Sequence, residues 1–307
     1  MSRSRDDADS RRRGAVIVTG ASSGIGHAGT LALAARGYHV FPTVRRIGES
    51  EALFPNAEGR ISPVQMDVTD AAGVDAAVER IGARLSEERL ALIGLVSNAG
   101  AGMMVPVEFL YEDVLRHQLE TNLIGHVTVA RRLLPLIREA AKRADAPQRG
   151  RILFVGTGAG VPSPVYPFLG AYMACKWGLE AICRSLRQEL ALHGDPIDVG
   201  MVNPGFVRTR MSETTRSAVA TVFARLPEQA RARYAPLLAR FGQHAAHQRG
   251  SDTGAAAAVL VRAMSTPRAR RQYHIGRDSI AAACFARLPL ALQEHLIARI
   301  YRGRQGP

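Results

Sequence analysis

Lysine is almost missing from this 307-residue chain: of its 40 basic residues only Lys142 and Lys176 are lysines, and the other 38 are arginines. A compact ammonium and a planar guanidinium are not interchangeable, so a chain that writes Arg almost everywhere makes a distinct chemical choice where it writes Lys. Cysteine is scarce as well. Cys175, Cys183 and Cys284 are too few and too scattered for a disulfide framework, and no two form a CxxC metal pair. That usage points to a reducing, cytoplasmic setting. No run of about 18 apolar residues occurs, which speaks against a membrane-spanning helix. Residues 1–13 hold five Arg and three Asp and no apolar stretch, and read as a charged tail rather than a secretory signal.

What remains is an ordinary globular composition, 47% hydrophobic and 22% charged, on a chain long enough for one large domain with a real core. Basic residues outnumber the 27 acidic ones, for a net charge of +13. Such an excess raises polyanions, anionic membranes or anionic ligands as partners. The arginines are spread through the chain, however, and the nearest thing to a run, Arg268 to Arg271, is short. The expectation is no specific nucleic-acid partner.

From residue 14 onward, short β-rich runs alternate with longer helical stretches. Strands are expected at 15–19, 38–44, 61–66, 92–97, 151–155, 197–202 and 272–275. Helices are expected at 25–36, 72–86, 114–141 (one long helix or a pair) and 171–193. This alternation implies βαβ units, hence an α/β fold: a single-domain, doubly wound parallel sheet with helices on both faces. Val16-Ile17-Val18 and Ile152-Leu153-Phe154-Val155 are continuously apolar, as strands buried on both faces require. One stretch interrupts the pattern before the last strand. Residues 212–249 carry Phe223, Leu226, Tyr234, Leu237, Leu238 and Phe241 at roughly helical spacing, too long for a bare connection. We read them as an inserted helical substrate lid, with an extra packing helix as the alternative. The chain then divides into a tail (1–13), a catalytic domain (14–285) and a C-terminal amphipathic helix and tail (286–307).

Thr19-Gly20-Ala21-Ser22-Ser23-Gly24-Ile25-Gly26 follows the first strand and opens the first helix. Glycine lets the backbone turn tightly and approach a ligand, and the helix N-terminus presents free N–H groups to a pyrophosphate. The spacing is TGxxxGIG, not the GxGxxG of the common dinucleotide fingerprint.

This spacing resembles the short-chain dehydrogenase/reductase family, and further elements follow in that family's order. Ser97-Asn98-Ala99-Gly100, at the end of the fourth strand, looks like its NNAG element. Asn122 lies in the long helix, where the family keeps a structural and catalytic Asn. Tyr172-Met173-Ala174-Cys175-Lys176 is its YxxxK, and Asn203-Pro204-Gly205-Phe206-Val207-Arg208-Thr209 looks like its PG…T segment beside the nicotinamide. Asp67-Val68 resembles the residues beside the adenine. The ordered set covers about 190 residues. It implies that Gly20, Ser22, Ser23, Gly24, Ile25, Gly26, Asp67, Val68, Asn98, Ala99, Gly100, Tyr172, Lys176, Pro204, Gly205, Val207 and Thr209 bind a dinucleotide.

Tyr172 and Lys176 are four apart, so on a helix they share a face. A free tyrosine titrates near about 10, and a nearby ammonium is expected to draw that value down toward the working range. The scarce lysine therefore falls where an ammonium has a job. The resemblance implies that Tyr172 protonates a carbonyl or deprotonates an alcohol while hydride moves to or from nicotinamide. Lys176 would also hold the nicotinamide ribose, and Asn122 would position a water. The chain departs from the family at the serine that usually holds the substrate oxygen, about 13 residues before the tyrosine. Here the fifth strand ends in Thr157, 15 residues before Tyr172. Threonine has the same hydroxyl capacity, so we assign it that role, with Ser163 as the fallback.

In such folds a carboxylate ending the second strand holds the adenosine ribose, whereas an Arg accommodates a 2′-phosphate. The segment here ends Val44-Arg45-Arg46, without a carboxylate, so Arg45 favours NADP(H) over NAD(H). The expected pocket walls are Met103 to Val105, Val165 to Phe168, Phe206 and Met211. They are mostly apolar and suit a lipophilic alcohol or ketone of steroid, retinoid or long-chain type. An NAD-dependent dehydrogenase of a small hydroxy acid stays open if Arg208 or Arg210 turns inward, as does a weakly catalytic nucleotide-binding protein. His244 and His247 lack a third ligand, so no metal is expected. Helices 114–141 and 171–193 match those through which the family forms dimers or tetramers. The C-terminal stretch 288–300 is amphipathic, with Arg299, Arg302 and Arg304 near its end, and suits either packing or peripheral membrane contact.

Overall fold

The computed structural model describes residues 14–55, 59–143, 148–158, 160–161, 163–246 and 250–302. The tail 1–13, His247, Arg304 and the end of the 212–249 segment lie outside the described residues.

β1 (Ala15–Val18) leads through a glycine-rich loop into α1 (Gly24–Ala35), then β2 (His39–Val44) and the short α2 (Ser50–Leu53). β3 (Val64–Gln65), α3 (Ala71–Glu87) and β4 (Leu92–Ser97) follow. After β4 come α4 (Glu112–Leu119), a single π-helical turn over Glu120–Ile124, and α5 (Gly125–Lys142). β5 (Gly150–Val155), α6 (Gly170–Leu192) and β6 (Ile197–Pro204) complete the second half. Two helices, α7 (Met211–Ala224) and α8 (Glu228–Ala246), precede α9 (Thr253–Ser265) and β7 (Gln272–Ile275). The chain ends in α10 (Arg277–Phe285) and α11 (Leu290–Arg302).

The seven strands form one sheet in the order β3-β2-β1-β4-β5-β6-β7, every neighbouring pair parallel. The expected doubly wound sheet is therefore present, with strands buried on both faces as their apolar runs require. One core lies between the sheet and α3, α5 and α6, built on Ile17, Leu95, Ile152, Ile81, Leu133 and Leu179. The opposite core lies under α1 and α9, with Val16, Val96, Leu153, Leu33 and Leu260. Burying each such side chain contributes about 1.5–3 kcal/mol. Strand order reverses between β1 and β4, which opens a crevice beyond their C-terminal ends, where ligands bind in folds of this kind.

The structure amends or narrows the expected elements at four places. β3 is shorter than 61–66: Ile61 makes only an isolated bridge to Val40, because Pro63 interrupts the ladder by lacking an N–H. Of the two forms expected over 114–141 the structure has the pair, joined through the π turn that holds Asn122. α9 answers to no assigned stretch; its Ala-rich sequence gives weak periodicity, although Asp252 caps it by accepting from Ala255 N at 2.7 Å. The inserted segment is two helices, and α10 stands ahead of the expected C-terminal helix, which runs 290–302 rather than 288–300.

The excursion α7–α8 leaves and rejoins the domain at one place. Val207 bridges Ser251 in parallel, Arg208 N donates to Ser251 O (3.0 Å) and Ser251 N to Phe206 O (2.8 Å). Between these ends the two helices cover a third, smaller apolar cluster of Met103, Val105, Val114, Val219, Val222 and Leu226.

Candidate active site

A cleft of about 480 Å³ runs across the C-terminal ends of β1, β4, β5 and β6. Its floor at one end is the turn between β1 and α1. Gly20 (φ +64°) and Gly24 (φ +58°) adopt left-handed backbone there, and a Cβ on Gly20 would lie 2.7 Å from the Ala99 Cα. Ser23 caps α1 without a side-chain hydrogen bond, and its first turn has no acidic residue, so the N–H groups of that turn face the cleft unclaimed by a cap. The Thr19 hydroxyl accepts from Asn98 N (2.8 Å) and Ala99 N (3.0 Å), and Asn98 Nδ2 donates to Thr19 O (3.0 Å) and Gly20 O (3.2 Å). The NAG segment is thereby braced onto the phosphate loop.

Ser22, Ser23, Ile25, Arg45, Asp67, Val68, Asn98, Ala99, Gly100, Pro204, Gly205, Val207 and Thr209 all line this cleft, as the sequence reading proposed. Gly26 does not. A Cβ there would meet Gly20 O at 2.5 Å and Asn98 Nδ2 at 2.6 Å, so this glycine serves the packing of helix against loop. Arg45 is exposed at the end of β2, opposite Asp67. Partial burial pushes the Asp67 carboxyl up, but hydrogen bonds from Thr69 N (2.9 Å) and Thr69 Oγ1 (2.8 Å), with Arg45 and His117 nearby, hold it below its usual range.

Tyr172 and Lys176 stand one turn apart on α6, and both reach the cleft together with Thr157 and Asn122. Thr157 stands beside Tyr172 in this cleft, near enough for its hydroxyl to favour the phenolate. Ser163 is buried and does not line the cleft, whereas Thr157 does. Asn122 clasps the loop after the NAG segment: its Oδ1 accepts from Ala101 N (3.0 Å), and its Nδ2 donates to Ala101 O (2.9 Å) and Gln118 Oε1 (3.1 Å). Asn122 is buried within the π turn, the kind of helix irregularity that is frequent at functional sites.

One electrostatic expectation is overturned. Burial pushes the Tyr172 phenol above its ordinary value, only partly offset by the nearby Thr157 hydroxyl. Lys176 Nζ donates to Val155 O at 2.9 Å and lies 5.9 Å from the centre of the tyrosine ring. It therefore serves the backbone rather than the phenol oxygen. Its own burial lowers it to about 8. The phenol accordingly keeps its proton at neutral pH, which is the state a proton donor requires.

The expected walls are also redrawn. Met103 and Met211 line the cleft, joined by Arg210, Thr214 and Ala218, which the sequence reading did not place there as walls. Met104 and Val105 pack instead into the cluster under α7. Phe168 stacks edge-on against Tyr234 and Phe241, and Val165 is exposed. Phe206 donates its N–H to Asp278 and does not line the cleft. Arg208 donates to Gly250 O (2.6 Å), away from the cleft. Other lining residues, among them Thr43, His117 and Thr121, carry no motif and were legible only once the crevice was located. Among the described residues, no group of three or more His, Cys, Asp or Glu is placed to hold a metal ion.

Comparison with known proteins places this geometry. Residues 14–220 match the family model described as short chain dehydrogenase. The chain is 36% identical over 197 residues to a 3-amino-tetrahydro-pyrrolizinone reductase of Xenorhabdus hominickii, covering 64% of this chain and 63% of that protein. It is 32% identical over 222 residues to retinol dehydrogenase 5 of Mus musculus, covering 71% and 65%. The match thus spans just under two thirds of the length of these relatives. Among solved structures, a short-chain dehydrogenase from Streptomyces avermitilis superposes with a TM-score of 0.71 at 24% identity, over 96% of this chain and all of that one.

Proposed function

The chain belongs to the short-chain dehydrogenase/reductase family, and from that premise we propose that it transfers a hydride between NADP(H) and a lipophilic alcohol or ketone of steroid, retinoid or long-chain type. The observation that carries this reading is the gathering of Thr157, Tyr172 and Lys176, one turn beyond Tyr172, at the inner end of a cleft whose other end is the glycine-rich turn before α1. The residues fit a dinucleotide: the uncapped first turn of α1 suits a pyrophosphate, and Arg45 suits a 2′-phosphate. The nicotinamide, when bound, supplies or accepts the hydride. Tyr172, protonated at neutral pH, donates its proton to the substrate carbonyl oxygen, and in the reverse direction its phenolate takes the alcohol proton. Thr157 holds that oxygen, Lys176 secures the ribose and Asn122 fixes the loop beside it.

Met103, Met211 and Ala218 favour a lipophilic substrate, in keeping with a retinol dehydrogenase among the relatives. A substrate-lid role for residues 212–249 is supported by Met211, Thr214 and Ala218 of α7 facing the cleft. Arg210 in the lining favours a second reading, an anionic small hydroxy acid. A screen of alcohols, ketones and hydroxy acids with both cofactors, on wild type and Tyr172→Phe, decides. Turnover of a lipophilic carbonyl, lost in Tyr172→Phe, supports the reading. Cofactor binding without turnover of any of them overturns it in favour of a weakly catalytic nucleotide-binding protein.

The assembly we propose is a homodimer or homotetramer through α4–α5 and α6, on which Ile124, Trp177 and Ile182 are exposed. No described helix is long and apolar enough to cross a membrane. α11 exposes Leu290, Leu292 and Ile300 beside Arg299 and Arg302, which suits peripheral contact with a membrane by a cytoplasmic protein.

A further inference from the structure

The loop that carries Thr157 is secured from an unexpected direction. Gly156 N donates to Val202 O (2.8 Å) and Gly158 N to Pro204 O (2.7 Å), so this stretch runs on alongside β6 beyond the end of β5. Those bonds fix one edge of the loop. The other constraint is the Gly158 carbonyl, which lies 2.6 Å from the hydroxyl of Ser279. Ser279 is fully buried in the first turn of α10, 121 residues further along the chain and beyond the stretch that the family model matches. The same hydroxyl lies 2.9 Å from Asn203 O, the residue before Pro204-Gly205. Its neighbour Asp278 accepts from Phe206 N, the residue after them. One helical turn thus ties together the two loops that bound the inner end of the cleft.

The hydroxyl has a third neighbour, His274 Nδ1 on β7, at 2.8 Å. Both carbonyls can only accept, and a serine has one proton to give. His274 must therefore donate through Nδ1, which leaves the serine proton for the carbonyls. Burial holds His274 below its ordinary value and favours the neutral ring.

We propose that Ser279, oriented by His274, is a positioning residue for catalysis: by fixing the Gly158 carbonyl it sets the neighbouring Thr157 hydroxyl against the Tyr172 phenol. The inference rests on the reading of Tyr172 as the acid/base. Ser279 touches no reacting atom; it acts through Thr157.

The test reads the phenol directly, without substrate or cofactor, so its result stands apart from whether the chain turns over a carbonyl. Full-length protein labelled with 13Cζ-tyrosine is titrated by NMR, with the Tyr172 signal assigned by its loss in Tyr172→Phe. Thr157→Val removes the hydroxyl that favours the phenolate and moves the Tyr172 titration to higher pH. Ser279→Ala is expected to move it the same way, and the double variant to match Thr157→Val alone. Where Ser279→Ala does not yield folded protein, His274→Ala, which frees the serine hydroxyl to turn, is read in its place with the same expectation. With a substrate in hand, kcat falls on the order of 10- to 100-fold in Ser279→Ala while KM for NADPH holds. A Tyr172 signal that titrates as in wild type, or a Ser279→Ala shift that adds in full to that of Thr157→Val, overturns the proposal.

Discussion

Thr157 lines the same cleft as Tyr172, which stands 15 residues further along the chain, and its hydroxyl favours the tyrosine's phenolate. The proposed assignment gives Thr157 the role that a serine usually plays in the family. Thr157→Ser is expected to keep kcat within about threefold, whereas Thr157→Val, which keeps the shape and loses the hydroxyl, lowers it on the order of 100-fold. Ser163→Ala changes kcat by less than about twofold, since that side chain is buried away from the cleft. Steady-state kinetics on the three variants checks this, and a large loss in Ser163→Ala would reverse the assignment.

Arg45 is the one basic side chain of the β2 end that lines the cleft. A hydrogen bond to a charged group contributes about 1.5–3 kcal/mol, so Arg45→Ala should raise KM for NADPH by about tenfold or more and leave KM for NADH nearly unchanged. Equal effects on the two cofactors would remove the 2′-phosphate from its role.

Arg225, at the end of α7, pairs through both guanidinium nitrogens with Asp113 of α4 (2.8 and 3.1 Å) and lies 4.3 Å from the centre of the Tyr111 ring. Tyr234 of α8 donates to Glu108 at 2.6 Å. These exposed contacts hold the two inserted helices against the loop below them. In Arg225→Met we expect KM for the carbonyl substrate to rise a few-fold, cofactor KM to hold, and high salt to mimic the variant in wild type, as screening of an exposed pair requires. An unchanged substrate KM would show that the clasp does not govern entry.

His126 is fully buried one turn beyond Asn122, with Nδ1 2.7 Å from the Ser97 hydroxyl. Burial, reinforced by the Lys176 charge, holds it well below its ordinary 6.5. As pH falls below about 6.5 the unfolded chain takes up a proton there that the fold refuses, so stability drops on acidification across the window between the two values. His126→Gln should flatten the decline of Tm between pH 6.5 and 5. His39 and His274, lowered chiefly by burial, leave a residual slope. A slope identical to wild type would place the acid sensitivity elsewhere.

Most of the sheet was legible because each buried strand is an apolar run between turn residues, and the cleft because its motifs are local: a glycine turn, an NAG end, a tyrosine and lysine one turn apart. What escaped was non-local. Nothing in Gly158 or Ser279 alone announces that they meet across 121 residues. The electrostatics escaped for a similar reason. Spacing put Lys176 on the face of Tyr172, but only coordinates show Nζ turned to the Val155 carbonyl and burial outweighing charge at the phenol. The walls were misread because Met104, Val105 and Phe168 are as apolar as lining residues but face the cluster beneath α7 and α8.

The short parallel bridge between Val207 and Ser251 fastens the ends of the α7–α8 excursion side by side. Closing a loop costs entropy that grows only slowly with its length, and here the closure is made by the domain rather than by the helices within. The two helices beyond the cleft-lining Thr209 therefore form a cassette closed by the domain itself. Its length and sequence can diverge, or be grafted from another protein, while the sheet, the phosphate loop and Tyr172 stay in register. With the proposed lid role, substrate choice would sit in that cassette and hydride chemistry in the sheet, and the two could evolve at different speeds.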